Sequence, residues 1–221
     1  MNALPSSAGG LPSEFPIFPL EGALLLPHGK LPLNIFEPRY LAMVEDALAG
    51  QRMIGMVQPD ATRPASEAGP AVYPVGCLGR VSSFSEADDG RFLIALSGII
   101  RFDVVAEQAP RRGYRRVGAE YGRFLGDLRP LQTALIDRPG LTTALRAYFT
   151  ANGFDANWSA IEDMGDDELV VTLCMVCPFD AAEKQALLEA LDVGDRADTL
   201  LALLRMGAHG RRDGGPGRAP S

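Results

Sequence analysis

The stretch "VGCLGRVSSFSEADDGRFLIALSGIIRFDVV", Val75 to Val105, is the most informative part of the sequence about the fold. β-Branched and aromatic residues alternate approximately with polar ones on both sides of Asp89-Gly90. Asp-Gly is a strong hairpin signal, because a type I′ turn needs positive φ angles and this pair adopts them at little cost. Gly98 interrupts the second arm and predicts a bulge or bend there. The stretch therefore predicts a long β-hairpin.

Shorter extended runs lie on either side of this hairpin: "FPIFPL", "KLPLNIF", "MIGMVQP" and "YRRVGAEYGRF". Prolines restrict the first two runs to sheet edges, bends or strand starts. Several short strands at this spacing, bounded by turns, are typical of a small barrel or sandwich. We therefore expect a β-rich domain over residues 14–125, followed by a linker over 126–136.

One helix is predicted inside the β-rich part, after the joint Phe36-Glu37-Pro38-Arg39-Tyr40. Pro38 suits the first helical position, where its missing N–H costs nothing, and Glu37 favours the positive end of the helix dipole. We expect Arg39 to pair with Glu37 or with a carboxylate that folding brings near. The apolar stripe that packs the helix on the barrel is predicted to be Tyr40, Leu41, Val44 and Leu48. A structural role for the joint is favoured over direct ligand contact.

Residues 137–207 change to helical periodicity and predict a bundle of three or four helices. The first helix has an apolar face and ends at Gly153; its face comprises Leu141, Leu145, Tyr148 and Phe149. The run "DDELVVTLCMVC", residues 166–177, is apolar nearly all round and predicts a buried helix that Pro178 ends.

The last two predicted helices have recognisable caps. Asp180 and Glu183 have the spacing of a capping box. Leu187, Leu188 and Leu191 are expected to face inward on that helix. Gly194 is predicted to close it, and Asp195 to cap the final helix. The fold class that follows is α+β: a β-rich domain and then a helical bundle.

Composition narrows the class of function. The net charge of −7 argues against a general attraction to nucleic acid or to anionic membranes. No apolar run reaches the ~18 residues of a membrane span, and the N-terminus lacks the features of a secretory signal. We therefore expect a cytoplasmic protein. The Gly-, Pro- and Ser-rich ends, residues 1–13 and 208–221, are expected to be disordered tails.

The motifs that could indicate a cofactor or metal site are incomplete or wrongly placed. Gly29-Lys30 resembles part of a phosphate-binding loop, but Leu24 replaces the first glycine and Leu31 the hydroxyl residue. Cys174 and Cys177 form a C-x-x-C pair at the C-terminal end of an apolar helix, where the dipole raises a thiol pKa. Buried, unreactive cysteines are the favoured interpretation, and redox catalysis ranks behind it. No cofactor and no metal are predicted.

The sequence also contains no recognisable group of residues for hydrolytic catalysis. No G-x-S-x-G occurs, and neither histidine lies in a recognisable catalytic setting. The adjacent pairs Asp88-Asp89 and Asp166-Asp167 fall at a turn and at a helix start, which explains them without catalysis. Lys184 is predicted to be a solvated helix residue. No catalytic residue is predicted.

One basic cluster supports an alternative function. "RRGYRR" places four arginines around an aromatic residue, as a platform for single-stranded nucleic acid does; its residues are Arg111, Arg112, Tyr114, Arg115 and Arg116. A solvated strand face is the favoured interpretation, because the overall charge opposes phosphate binding.

Taken together, three stretches resemble the substrate-binding N-terminal domain of the Lon protease family. "FPIFPLEGALLLPHGKLPLNIFEPRYLAMVEDAL" is similar to the family's opening, and "VGCLGRVSSFSEADDGRFLIALSGIIRFDV" to its G-x-x-G-x-I…DGR-x-x-I-x-L-x-G-x-x-R-F segment. "DELVVTLCMVCPFDAAEKQALLEALDVGDRADTLLALL" resembles its helical part. The resemblance covers about residues 14–207.

This resemblance implies a PUA-like β pseudo-barrel followed by a helical bundle. The family-signature positions, mainly structural, are Phe36, Glu37, Pro38, Arg39, Tyr40, Gly90, Gly98, Arg101 and Phe102. Neither an ATPase nor a Ser-Lys peptidase segment is recognised, so the chain resembles a stand-alone, non-catalytic member. The expected partners are unfolded or exposed polypeptide segments and, in protein quality control, a protease or chaperone. The alternative is an RNA-binding PUA-like module.

Overall fold

The computed structural model describes residues 8–66, 69–130 and 136–209. Its strands are β1 Glu14–Pro19, β2 Lys30–Ile35, β3 Met53–Val57, β4 Val75–Glu86, β5 Phe92–Arg111 and β6 Tyr114–Glu120. Its α-helices are α1 Pro38–Ala49, α2 Arg138–Asn152, α3 Trp158–Asp163, α4 Asp166–Val176, α5 Ala181–Glu189 and α6 Val193–His209. Short 3₁₀ segments occupy Ala8–Gly10 and Gly122–Leu128. The predicted α+β class is confirmed.

Five strands close into a ring. The sheet order is β2-β5-β4-β3-β1-β6, and β5 also pairs with β6, so β5, β4, β3, β1 and β6 form a pseudo-barrel. Closure is possible because β5 has 20 residues: its first part pairs with β2 and β4, and its last part with β6. β2 pairs with β5 alone within the described part of the chain, so it is an edge strand.

Spatial contacts divide the described residues into two compact units. The first comprises residues 8–130 and 174–189, and the second residues 136–173 and 190–209. α5 therefore belongs with the β-rich part, where Gln185 Nε2 donates to the Val75 carbonyl at 3.1 Å. The boundaries predicted from sequence at 125 and 137 stay a prediction. Most of each predicted tail and residues 131–135 of the linker lie outside the described residues.

The β4–β5 hairpin is present, but its turn differs from the expected type. Ala87–Arg91 connect the strands, and within this loop only Gly90 has a positive φ, at 79°. A type I′ turn requires two positive φ angles, so Asp89 does not adopt it. Type I′ geometry occurs instead between β5 and β6, where Arg112 has φ 48° and Gly113 φ 85°.

Gly98 lies at a bulge, as predicted, and the structure shows why glycine is needed. The register of β4 and β5 shifts so that Gly79 faces Gly98 while Leu78 faces Ile100. A Cβ on Gly98 would overlap the carbonyl oxygen of Leu26. The Gly98 N–H also donates to the Gly29 carbonyl at 2.9 Å. The bulge thus receives the loop between β1 and β2.

That loop is fixed by two buried polar side chains. Gln58 Nε2 donates to the Ala23 carbonyl and Lys184 Nζ to the Gly22 carbonyl, while Gly22 N–H donates to Gln58 Oε1 at 3.2 Å. The predicted solvated position of Lys184 is therefore wrong: the residue is 4% exposed. Burial lowers the pKa of Lys184. Its long side chain reaches backbone carbonyls that the sequence does not reveal.

In the second unit, the predicted start and end of α2 are confirmed. Asp137 accepts a hydrogen bond from the Gly140 N–H at 2.9 Å, and Gly153 adopts the left-handed conformation at φ 69°. Leu141, Leu145 and Tyr148 are buried, as expected. No described helix is both long and apolar enough to cross a membrane.

The caps around α5 and α6 are partly as predicted. Asp180 and Glu183 form the reciprocal capping box, with N–H to carboxylate distances of 2.9 and 2.8 Å. α6 begins earlier than expected: Asp192 accepts from the Asp195 N–H at 2.9 Å, so Asp192 is the cap and Asp195 lies in the first turn. Leu191 was expected to face inward but is 85% exposed, because α5 ends at Glu189.

Candidate functional site

The joint between β2 and α1 is fastened by its own residues. α1 begins at Pro38, and Arg39 Nε donates to Glu37 Oε2 at 3.0 Å, which is the expected ion pair. The Arg39 guanidinium lies 4.5 Å from the Tyr40 ring centre, and the Tyr40 ring contacts Phe18. The charged and aromatic side chains of the joint thus have their partners inside the protein, and the conformation of the joint requires no ligand.

The buried stripe of α1 is shifted from the predicted one. Tyr40 and Val44 are buried as expected, whereas Met43 and Ala47 take the places assigned to Leu41 and Leu48. α1 packs against both β1 and β6, and so needs a broader apolar face than one narrow stripe.

Arg101 and Phe102, two further signature positions, are core residues. Arg101 is 5% exposed and forms a bidentate ion pair with Asp127, with Nε and Nη2 at 2.9 and 2.8 Å from the carboxylate oxygens. Its Nη1 donates to the Leu188 carbonyl at 3.0 Å. Phe102 is fully buried and meets Phe15 edge-on, with ring centres 4.8 Å apart. Arg101 thus connects β5 to the 3₁₀ segment and to α5.

The four arginines of "RRGYRR" each have a carboxylate partner. Their ion pairs are Arg111–Asp46 at 3.1 Å, Arg112–Glu45 at 2.7 Å, Arg116–Glu14 at 3.1 Å, and Arg115–Glu107. Arg115 also donates to the Pro70 carbonyl at 2.7 Å and is 8% exposed. We call this set, with Tyr114, the charged cluster. Its positive charge is largely neutralised within the molecule.

Tyr114, the aromatic centre of the predicted nucleic-acid platform, is buried. It is 3% exposed, and its hydroxyl donates to Asp46 Oδ2 at 2.7 Å. Burial and the Asp46 carboxylate raise the pKa of Tyr114 to about 12. The hydrogen bond from Tyr114 in turn lowers the pKa of Asp46. A ring in this position offers no face on which a base could stack, so the geometry does not favour the RNA-binding alternative.

A cleft of about 180 Å³ lies beside the charged cluster. Its lining includes Phe15, Pro16 and Met53 as apolar residues, with Asp46 and Arg111 at the polar side. Because Asp46 and Arg111 pair with each other, the cleft presents no unbalanced charge to a ligand.

The three cysteines are buried, and no disulfide joins them in this chain, whose described residues include all three. Burial raises the pKa of the Cys177 thiol to about 12. A thiol with so high a pKa is protonated at neutral pH and is a poor nucleophile or redox centre. Within the described residues, no group of three or more His, Cys, Asp or Glu side chains is arranged to hold a metal ion.

Both acid pairs lie at the predicted places, in the β4–β5 loop and at the start of α4, and one member of each pair has an observed structural partner. The Asp89 carboxylate accepts hydrogen bonds from the Arg91 backbone N–H at 3.2 Å and from Arg91 Nε at 2.7 Å. These bonds stabilise the hairpin loop. Asp166 pairs with Arg138 in the second unit. His28 Nε2 lies 3.0 Å from the Asp127 carbonyl oxygen, from which it is separated by 99 residues in sequence.

The structure shows an exposed apolar surface whose residues the sequence analysis did not identify. Leu93 is 47% exposed on β5 and faces Asn34 on β2 and Ser85 on β4. Phe36 is 64% exposed, and because side chains alternate along a strand it lies on the same face as Asn34. We call Phe36, Leu93, Asn34 and Ser85 the hairpin patch. Its sequence signal is Leu93 itself, an apolar residue between inward-facing Phe92 and Ile94.

Comparison with known proteins agrees with this fold. The family model of the ATP-dependent protease La (LON) substrate-binding domain matches residues 14–206. The Lon N-terminal domain protein from Xanthomonas campestris has a TM-score of 0.58 at 22% identity, with 86% of this chain and 97% of that chain covered. The N-terminal domain of Mycobacterium avium complex Lon protease has a TM-score of 0.59 at 15% identity, with the same coverage. At these identities the likeness supports the fold.

Two curated relatives show how much of a longer protein is matched. Lon protease from Desulfosudis oleivorans is 28% identical over 92 residues, 41% of this chain and 11% of that protein. Lon protease from Azorhizobium caulinodans is 23% identical over 204 residues, 90% of this chain and 23% of that protein. The chain thus spans between about a tenth and a quarter of these relatives. With the family model matched over residues 14–206, the chain belongs to the LON substrate-binding domain family.

Proposed function

We propose that this chain is a non-catalytic polypeptide-binding domain of the cytoplasm that acts as an adaptor in protein quality control. The observation that carries the proposal is the family match over residues 14–206, to a domain described as substrate-binding. The substrates of an ATP-dependent protease are polypeptides, so exposed polypeptide segments are the ligands that such a domain would hold.

The hairpin patch supports this function physically. Phe36 and Leu93 expose apolar side chains at neighbouring positions of one sheet face, beside the edge strand β2. Exposed apolar surface of this kind stabilises a complex with apolar segments that a folded client would keep buried. Unfolded chains expose such segments, whereas native chains do not.

Binding without catalysis is supported by the state of the reactive side chains. Cys177 is buried with a raised pKa, and Lys184 is committed to backbone carbonyls of Gly22 and Met175. His28 lies against the Asp127 carbonyl. These groups hold the fold together, and none is placed as a nucleophile at the hairpin patch.

The test is the affinity for one model protein in two states. A reduced and alkylated protein and its native form are titrated against the full chain by isothermal calorimetry. We expect binding of the unfolded form, with a negative heat-capacity change, and none of the native form. Equal affinity for both forms, or no binding of either, contradicts the proposal.

Two further measurements test the absence of catalysis and the adaptor role. Incubation of the bound client with the chain, followed by mass spectrometry, should leave every peptide bond intact. Addition of the chain to a purified ATP-dependent protease should change the rate at which the same client is degraded. An unchanged rate contradicts the adaptor role and leaves polypeptide binding standing.

A further inference from the structure

The hairpin patch lies next to a concentration of negative charge. Glu86 ends β4 opposite Phe92, so its side chain lies at the same end of the sheet as Leu93 but on the other face. Asp88 and Asp89 follow in the loop, and all three acids are exposed. Asp89 pairs with Arg91 at 2.7 Å. Over residues 8–66, 69–130 and 136–209, no ion pair reaches Glu86 or Asp88. Two carboxylates at this end of the sheet therefore remain uncompensated.

The other side of the patch adds no positive charge. Glu37 follows Phe36 directly, and Arg39 forms an ion pair with Glu37 at 2.9 Å. Four carboxylates (Glu37, Glu86, Asp88, Asp89) and two guanidiniums (Arg39, Arg91) give this end of the sheet a local charge of −2. Lys30 lies at the far end of β2, about 20 Å from Phe36 at the ordinary rise of a strand.

The shape of the patch suits an extended segment. Across the three strands, Leu93 stands between Asn34 and Ser85, and the next row on this face is Pro32, Ala95 and Ser83. These neighbours are short, so the side of Leu93 and the Phe36 ring are accessible to another chain. A segment of about six residues in extended form spans this face from the acidic end towards Lys30.

We propose that the hairpin patch selects extended apolar polypeptide segments flanked by Lys or Arg over the same segments flanked by Asp or Glu. The apolar residues of the client contact Phe36 and Leu93. Its basic flank extends past the hairpin end of the face, where the loop acid Asp88 and, from the other face, Glu86 attract it, and an acidic flank is repelled there. This inference rests on the proposed polypeptide binding and specifies its client.

The experiment uses the full chain and two fluorescein-labelled peptides of twelve residues. Both have the same alternating Val-Thr centre; one has two lysines at each end and the other two glutamates. Dissociation constants are measured by fluorescence anisotropy at low salt and at 0.5 M salt. We expect the lysine peptide to bind about fivefold more tightly at low salt, the ratio that one or two exposed ion pairs supply. The ratio should shrink at 0.5 M salt, where exposed charges are screened.

Matched variants locate the effect. Glu86→Gln with Asp88→Asn should abolish the preference for lysine. The control Glu21→Gln with Glu120→Gln changes the net charge by the same amount at exposed acids elsewhere on the first unit and should retain the preference. Leu93→Thr should weaken both peptides, whereas Val105→Thr, 59% exposed on the same strand, should weaken neither.

The outcomes separate this inference from the function on which it rests. If both peptides bind equally and Leu93→Thr weakens both, charge selection is overturned while polypeptide binding stands. A preference that persists in the Glu86/Asp88 variant, or disappears equally in the control, overturns the assignment to this end of the sheet. If neither peptide nor the unfolded model protein binds, the proposed function itself fails.

Discussion

The charged cluster and the hairpin patch show opposite relations between sequence and structure. The charged cluster is conspicuous in the sequence, with four arginines within six residues, yet its charges are matched by Asp46, Glu45, Glu107 and Glu14. The hairpin patch is inconspicuous, yet it exposes two large apolar side chains beside uncompensated acids. Composition of a segment therefore says less about binding than whether folding supplies its partners. We expect changes in the charged cluster to alter stability and changes in the hairpin patch to alter binding.

The largest expected effect on stability comes from Asp46, which accepts from both Tyr114 and Arg112. Asp46→Ala leaves the buried Tyr114 hydroxyl without its acceptor and removes the partner of Arg111. The free energy of unfolding should fall by about 2–3 kcal/mol, the usual cost of an unsatisfied buried polar group with lost charged hydrogen bonds. Urea denaturation followed by circular dichroism measures it. A loss below about 0.5 kcal/mol would show that the cluster is not structural.

The acid dependence of stability gives a second test of the same carboxylate. The pKa of Asp46 is lowered in the folded protein, first by the Tyr114 hydrogen bond. Its contribution is therefore present above the unfolded pKa of about 3.9 and is lost as the pH falls through the lower folded value. The stability difference between the wild type and Asp46→Asn should be constant from pH 7 to 5 and should shrink towards pH 2. A difference that stays constant to pH 2 argues against this coupling.

A smaller effect is expected at Arg112, where a favourable ion pair opposes an unfavourable backbone conformation. Arg112 has φ 48°, an unfavourable backbone conformation for a non-glycine residue, while its exposed ion pairs are weakly stabilising. Arg112→Gly should leave the midpoint of urea denaturation nearly unchanged, because the loss of the ion pairs is offset by relief of strain. Arg112→Ala keeps the strain and should have a lower midpoint than the glycine variant. Equal stabilities of the two variants would show that backbone strain at Arg112 does not oppose its ion pairs.

The smallest effect on stability is expected in the hairpin patch. Leu93→Thr introduces a β-branched residue, which suits a strand, at a half-exposed strand position and should alter the free energy of unfolding by about 0.5 kcal/mol or less. The same variant should weaken binding of the unfolded model protein, which Asp46→Ala should not do under conditions where it remains folded. If Leu93→Thr destabilises the chain as strongly as Asp46→Ala, the contrast between the two regions is lost.

Local features were accessible to sequence reasoning because the interacting groups are close in the chain. The Glu37–Arg39 pair spans two residues, the Asp180–Glu183 capping box three, and Gly153 ends the helix that precedes it. The bulge at Gly98 was predicted as well, although its partner, the Leu26 carbonyl, lies 72 residues earlier. Family resemblance supplied the rest of the outline.

Features that depend on distant partners were wrong or missed. Lys184 looked solvated because the helical pattern contains no sign of the Gly22 carbonyl, 162 residues away, to which it donates. Residue preference predicts a type I′ turn at Asp89-Gly90, whereas the strand register places it at Arg112-Gly113. The spacing of Leu191 continues the helical pattern and predicts a core position, but α5 ends before it.

The α+β class, the order of the strands and several helix ends, such as Pro38 and Gly153, can be predicted from the residues alone, because they follow from periodicity and short-range hydrogen bonds. Which charges are neutralised, which polar side chains are buried and which apolar ones are exposed depends on contacts that form when the chain folds. Pairing of strands brings together residues that are tens of positions apart, and a side chain's environment is set by those neighbours. Folding brings carboxylates to the arginines of the charged cluster, whereas it leaves the Leu93 side chain of the hairpin patch exposed to solvent.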